Sequence, residues 1–349
     1  MKDKLQKSAN AIDNRFDSLT EQLSQRLMLD GQVHIHPYYG LGNNESIYLR
    51  GRVLLDKQIP KAQDEDSYLK NLLNTWQHIT SVEIPNARVQ AKFGGQTQTF
   101  VADDEGFFEV EMANANLADD VLWHPVSLEL IDRPDHSPVS TTGQIMIPSP
   151  EAEYGIISDI DDTVLQSKAT NYLAAATLMF FKNAKTRLPF EGVADLYQAL
   201  HKNGQNPIYY VSSSPWNLFE LLTDFFEYQD IPKGPLFLTD YGFSADQFIK
   251  PSHGTHKLEQ IEKILNMFPD QKFLLMGDSG QHDPEIYQEV IRRHPTQILA
   301  CTIRDVTTAR RDSQVAQIAA EVNKSGSEMI FAEHSSQILE HAKMKGWVP

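Results

Sequence analysis

One cysteine, Cys301, stands in 349 residues. A single thiol closes no internal disulfide, so a packed core has to hold this chain, and a reducing, cytoplasmic compartment is expected. Basic charge is also scarce. Lysine and arginine total 31 against 47 aspartates and glutamates, a formal net charge of −16. That balance argues against a nucleic-acid partner, whose phosphates need clustered basic residues. It gives no general attraction to anionic membranes either. No apolar run approaches the ~20 residues of a membrane span, and the first residues lack the apolar core of a secretory leader. Internal repeats and low-complexity tracts are missing. A soluble enzyme of two domains fits this length and composition.

Three stretches divide the chain. Residues 3–29 carry an apolar stripe, Leu5, Ala9, Ile12, Phe16, Leu19, Leu23 and Leu27, stepping by fours and threes. This predicts an amphipathic helix over 1–30. It packs on its own molecule, pairs with a second copy as a homo-oligomer, or lies on lipid, and packing is the commoner use.

From 31 to 148 the pattern changes to short alternating runs. Gln32–His36, Ser46–Leu55, Asn86–Phe93, Thr97–Val101, Phe107–Glu111, Val126–Asp132 and Gly143–Ile147 read as strands. Gly94-Gly95 is a two-residue hairpin signal, and Ala102–Phe108 resembles a turn common in transthyretin-like and other small sandwich domains. Tyr68, Leu72, Leu73, Trp76 and Ile79 suggest an inserted helix. An all-β sandwich is expected, with no catalytic constellation; His34, His36 and Tyr38 are assigned no site.

After a linker at Pro148–Tyr154, strands near 154–160, 207–212, 234–239, 272–276, 298–303 and 328–331 alternate with helical patterns. Such alternation means a doubly wound parallel sheet covered on both faces, here over 154–349.

The chemistry collects at the ends of those strands. Asp159-Ile-Asp161-Asp-Thr163 closes the run Tyr154–Ser158, where an open α/β sheet binds its ligands. Carboxylates two apart on an extended backbone point to opposite faces, so both serve one site only if the chain bends at once. The pair suggests phosphoryl transfer through an aspartyl-phosphate, one Asp attacking and the other handling protons. Ile208–Val211 ends in Ser212-Ser213-Ser214-Pro215, with Ser214 placed as N-cap and Pro215 as first residue of the next helix. Hydroxyls and free N–H groups at such a turn cradle phosphate. Lys257 opens an amphipathic stretch with Leu258, Ile261, Ile264 and Leu265, and a lysine there reaches phosphoryl oxygens. His253 and His256 lack a third ligand nearby and are read as non-ligands. Phe273–Met276 ends in Gly277-Asp278, with Asp283 five residues on and Pro284 opening a helix. Hard oxygen ligands at a strand end suit Mg²⁺.

In this order, Asp159-x-Asp161-x-Thr163, Ser212, Lys257 and Asp278/Asp283 resemble the four motifs of the haloacid dehalogenase superfamily of phosphatases. The strings Ser158–Val164, Tyr210–Leu218 and Gly277–Glu285 resemble the catalytic domain of the actin-patch-protein type of phosphatidate phosphatase, over roughly 150–345. The resemblance implies a haloacid-dehalogenase-like fold. It makes Asp159 the nucleophile and Asp161 the general acid/base. Thr163, Ser212, Ser213 and Lys257 would hold the phosphoryl group. Mg²⁺ would sit on the Asp159 carboxylate, the Asp161 backbone carbonyl and Asp278, with Asp283 in support. It further implies a phospholipid monoester substrate, phosphatidate, met by peripheral contact with membranes.

The intervals between motifs leave no room for a large cap, so an open site is expected. The run Asn171–Phe181 and the following Lys182, Lys185 and Arg187 touch acyl chains and phosphate, or pack on the core with solvated basic ends. Two other functions stay open: hydrolysis of a soluble phosphate ester or phosphoprotein, and a catalytically silent recruitment module.

Overall fold

Alternating burial builds the amino-terminal half. In Phe107–Ala113 the side chains of Phe108, Val110 and Met112 are buried while Glu109 and Glu111 between them are exposed. That is the period-2 signature of a strand with one face on a core. The computed structural model describes residues 32–56, 82–114, 121–131, 138–164, 189–240, 253–307, 309–324 and 326–349. The chain divides into two units, Met1–Ile147 and Pro148–Pro349. The stripe at 3–29, the helix expected around 68–79 and the run 171–187 lie outside the described residues.

The first unit contains β1 (Gln32–Pro37), β2 (Tyr39–Gly42), β3 (Ser46–Asp56), β4 (Val82–Glu83), β5 (Arg88–Phe93), β6 (Gln96–Val101), β7 (Phe107–Ala113), β8 (Trp123–Ile131) and β9 (Val139–Met146). They join in one mixed, sandwich-like sheet of order β1-β3-β2-β9-β8-β5-β6, with β4 and β7 pairing to β3. All of its pairings are antiparallel except β2 with β9. One core, including Val33, Leu49, Val53, Val89, Val110, Leu128 and Ile145, fills the space between its inner faces. Each such side chain contributes about 1.5–3 kcal/mol by leaving water. Gly94 and Gly95 take φ of 54° and 79° between β5 and β6, the left-handed pair a tight hairpin requires. The short β2 and β4 were not expected; neither is long enough to display a period.

The second unit runs β10 (Gly155–Ser158), α1 (Val193–His201), β11 (Ile208–Pro215), α2 (Phe219–Tyr228), β12 (Leu236–Thr239), α3 (His253–Met267), β13 (Phe273–Asp278), α4 (Asp283–Arg293), β14 (Ile298–Arg304), α5 (Ala309–Lys324), β15 (Met329–Ala332) and α6 (Ser335–Met344). Its sheet is parallel throughout, in the order β12-β11-β10-β13-β14-β15. From β10 the chain first adds strands on one side and then, at β13, on the other. The switch point therefore falls between β10 and β13, where crossovers part and leave a crevice at the carboxyl ends. β10, β12 and β13 are buried at every position, as strands covered on both faces must be. Among the described residues no helix is long and apolar enough to cross a membrane.

One local expectation needs correction. Ser214 does not cap a helix and Pro215 does not begin one. β11 continues through Pro215, whose φ of −74° and ψ of 153° are extended. A single 3₁₀ turn, Trp216–Leu218, follows before α2. Proline's fixed φ suits an extended chain as well as a helix, and the Ser214 hydroxyl is engaged elsewhere.

Candidate active site

The bend that Asp159 and Asp161 require comes directly after β10. The Asp159 N–H still donates to Met276 O of β13 at 2.8 Å, so its backbone continues the sheet. Asp162 then takes φ of 55°, and Val164 N–H closes back onto Ile160 O at 2.9 Å. Left-handed φ is tolerated by Asp better than by most residues. The turn is pinned from β14, where Arg304 Nε donates to Thr163 O at 3.1 Å and Nη2 donates to Ser335 Oγ at 2.9 Å. The same guanidinium lies 4.2 Å from the centre of the Phe190 ring.

Lys257 is the centre of the charge arrangement. It lies on the stripe of α3 with Ile261, Ile264 and Phe268, at steps of four, three and four, so the helix turns it inward with the core residues. Its Nζ donates to Asp159 Oδ1 at 3.0 Å and to Asp283 Oδ1 at 2.5 Å, and the three side chains are 3%, 1% and 0% exposed. Burial alone would lower the lysine's pKa, but the charges of Asp159 and Asp283 outweigh it and hold Lys257 protonated. Burial raises the Asp159 carboxyl well above the usual range; Lys257 opposes this, while Asp283, Asp278 and Asp161 add to it.

Asp278 is treated differently by its surroundings. Its Oδ1 accepts from Gly280 N–H at 2.6 Å and Gln281 N–H at 2.9 Å. Its Oδ2 is buried and has no hydrogen-bond partner among the described residues. Burial, reinforced by Asp283 and opposed by Lys257, pushes this carboxyl up to about 7. Asp283 Oδ2 accepts from Asp278 N–H at 3.1 Å, so both of its oxygens are already used. Gly277 makes this approach possible, since a Cβ there would lie 2.8 Å from both Asp283 Cβ and Tyr287 Cε2.

Asp159, Asp278 and Asp283 offer oxygens within 4.8 Å of one another. Three carboxylates face one ammonium, leaving an excess of negative charge, and one oxygen has no donor. A hard divalent cation fits both conditions.

The carboxylate of Asp161 stands apart from that cluster. Its Oδ2 accepts from Ser212 Oγ and from Ser214 Oγ, each at 3.0 Å. Thr163 Oγ1 turns to Asp159 Oδ2 at 3.3 Å. Ser213 presents its carbonyl to Thr239 Oγ1 at 3.1 Å. The structure thus gathers Asp159, Thr163, Lys257, Asp278 and Asp283 into one network and Asp161 with Ser212 beside it. Ser214 and Arg304 were missed. Ser212 and Ser214 alternate on one strand and share a face, a signal concealed by reading a helix cap. Arg304 is a cation closing a buried strand at the same sheet edge, and that position was a signal too.

The fold and site define an α/β unit with a buried carboxylate–lysine centre at the switch point of a parallel sheet. Residues 154–305 match the family model for the phosphatidate phosphatase APP1 catalytic domain. The chain is 35% identical over 188 residues to phosphatidate phosphatase APP1 of Saccharomyces cerevisiae, covering 53% of this chain and 32% of the yeast protein. It is 32% identical over 155 residues to an uncharacterised protein of Schizosaccharomyces pombe, covering 43% of this chain and 25% of that one. It therefore spans about a third or less of these relatives' lengths. Among solved structures, a chain of the Pnkp1/Rnl/Hen1 complex is similar at 16% identity over 46% of this chain and 48% of that one, with a TM-score of 0.31.

Proposed function

We propose that 154–349 is a haloacid-dehalogenase-like catalytic domain that hydrolyses phosphatidate to diacylglycerol and phosphate through an aspartyl-phosphate on Asp159. The sandwich-like unit before it is a separate domain without an assigned role. The observation that carries the chemistry is the buried Asp159–Lys257–Asp283 bridge beside the unpartnered oxygen of Asp278. The strand order supports the fold, and the match of 154–305 supports the substrate class.

Asp159 attacks phosphorus as a carboxylate, forming the new P–O bond as the ester bond breaks. Asp161 gives its proton to the leaving oxygen and then takes one from the water that hydrolyses the intermediate. Lys257, Thr163, Ser212 and Ser213 hold the phosphoryl oxygens as charge spreads over them. Asp159, Asp278 and the Asp161 carbonyl would hold Mg²⁺, with Asp283 orienting Lys257 and Asp278. Bound there, Mg²⁺ supplies positive charge to the phosphoryl oxygens and keeps Asp159 ionised. The protein works in the cytoplasm with peripheral contact to the membrane that carries its lipid.

The test is phosphate release from phosphatidate in mixed micelles, with Mg²⁺ or EDTA, beside Asp159→Asn and a soluble aryl phosphate. Release that needs both the metal and Asp159, and that favours the lipid, is expected. Release from the soluble ester alone keeps the mechanism and overturns the substrate. Full activity in a folded Asp159→Asn protein overturns the mechanism.

A further inference from the structure

Two hydroxyls converge on one oxygen at the end of β11. Ser212 Oγ and Ser214 Oγ both donate to Asp161 Oδ2 at 3.0 Å, and neither bond involves Oδ1. The Ser214 N–H in turn donates to Ser212 Oγ at 2.9 Å, which fixes the two serines relative to each other. Ser214 is buried, whereas Asp161 is half-buried on the bend.

One hydroxyl has one proton to donate. Ser212, assigned to the phosphoryl group, cannot give that proton to a phosphoryl oxygen and to Asp161 at once. When substrate arrives Ser212 turns away, and Asp161 keeps its orientation only through Ser214. We propose that Ser214 is the positioning residue for Asp161. It anchors Oδ2 and leaves Oδ1 as the oxygen that serves the leaving group. In the first step the bond from Asp159 to phosphorus forms, the bond from phosphorus to the ester oxygen breaks, and the Oδ1 proton passes to that oxygen. The inference rests on the phosphatase reading above and adds to it a residue that touches neither metal nor substrate.

The leaving group discriminates. An alkoxide must be protonated as it departs, whereas 4-nitrophenolate leaves without a proton. A positioning role for Ser214 therefore appears on an alkyl phosphate and not on an activated aryl phosphate, while a merely structural role affects both alike. With full-length protein in excess over substrate and Mg²⁺ present, we expect Ser214→Ala to slow alcohol release by about ten- to hundredfold, the span of a charge-assisted hydrogen bond. The nitrophenolate burst should fall by no more than about threefold, the precision of such comparisons. Ser214→Thr, which keeps the hydroxyl, should restore alcohol release. Ser214→Cys, of similar shape with a weak donor, takes the place of the alanine variant if that protein does not fold. Asp161→Asn is the control for the underlying reading and should slow alcohol release far more than it slows nitrophenolate release. If Asp161→Asn splits the two substrates and Ser214→Ala slows both equally, or neither, the positioning role is overturned and the phosphatase reading stands. If Asp161→Asn and Asp159→Asn change nothing, the phosphatase reading fails and this inference with it.

Discussion

Replacing Lys257 with methionine keeps the length of the side chain and removes the ammonium that two buried carboxylates share. In wild type, Nζ lies 3.0 Å from Asp159 Oδ1 and 2.5 Å from Asp283 Oδ1, out of water. At 3 Å and an effective dielectric constant of ~20, each pair attracts by about 5 kcal/mol. Against this stands the several kcal/mol spent in stripping water from each ion, which the methionine variant recovers for the lysine alone. The carboxylates stay buried without their partner, and breaking such a bridge costs about 3–5 kcal/mol. For a unit of roughly 200 residues, each kcal/mol moves Tm by ~2–4 °C, giving a fall of about 6–20 °C. Calorimetry of the metal-free protein measures it. The fall should be larger at pH 8 than at pH 5. Removing the ammonium takes away the charge that opposes the rise of the Asp159 carboxyl, so the variant's extra cost grows as pH rises and that carboxyl must ionise. A Tm within about 2 °C of wild type at pH 8, less than 1 kcal/mol on this scale, would falsify the assignment of Lys257 as the compensating charge.

Asp278→Asn should flatten the pH dependence of metal-free stability. The wild-type carboxyl sits at about 7 in the folded protein, against ~3.9 unfolded. Through this group wild type loses roughly 2–4 kcal/mol as pH rises between those values, a contribution the variant lacks while that of Asp159 remains. Mg²⁺ should raise Tm in wild type and not in the variant; equal metal-induced shifts would remove Asp278 from the ligands. Gly277→Ala pushes a methyl into Asp283 Cβ and the Tyr287 ring, so a loss of about 1–3 kcal/mol is expected. Mg²⁺ affinity, read by titration calorimetry, should fall with it; an unchanged affinity would mean that the Asp278–Asp283 contact does not shape the metal site.

Much of the architecture is local and was legible. The alternation in β7, the two glycines between β5 and β6 and the apolar run ending at Asp159 each depend on near neighbours in the chain. Pro284 likewise marks the start of α4, where it falls in the first turn. Even the bend after β10 was implied, because two carboxylates two residues apart on an extended backbone cannot otherwise share a site. The end of β11 was not legible, because Ser-Pro opens helices and also ends strands. What decided between them was a hydrogen bond from Ser214 to a residue 53 positions earlier.

The sequence by itself determined the longer strands, the strand–helix alternation after 154, the order of the chemical motifs and the presence of acid, hydroxyl and lysine near strand ends, since residue type and spacing suffice for these. Only the tertiary structure decided that β2 pairs in parallel with β9, Tyr39 opposite Gln144, within an otherwise antiparallel sheet. It alone decided that Lys257 is shared by Asp159 and Asp283, that Asp161 faces two serines, and that one oxygen of Asp278 has no donor among the described residues. Partners far apart in the chain meet because the sheet's strand order and the packing of its helices bring them together, and no local pattern encodes that distance.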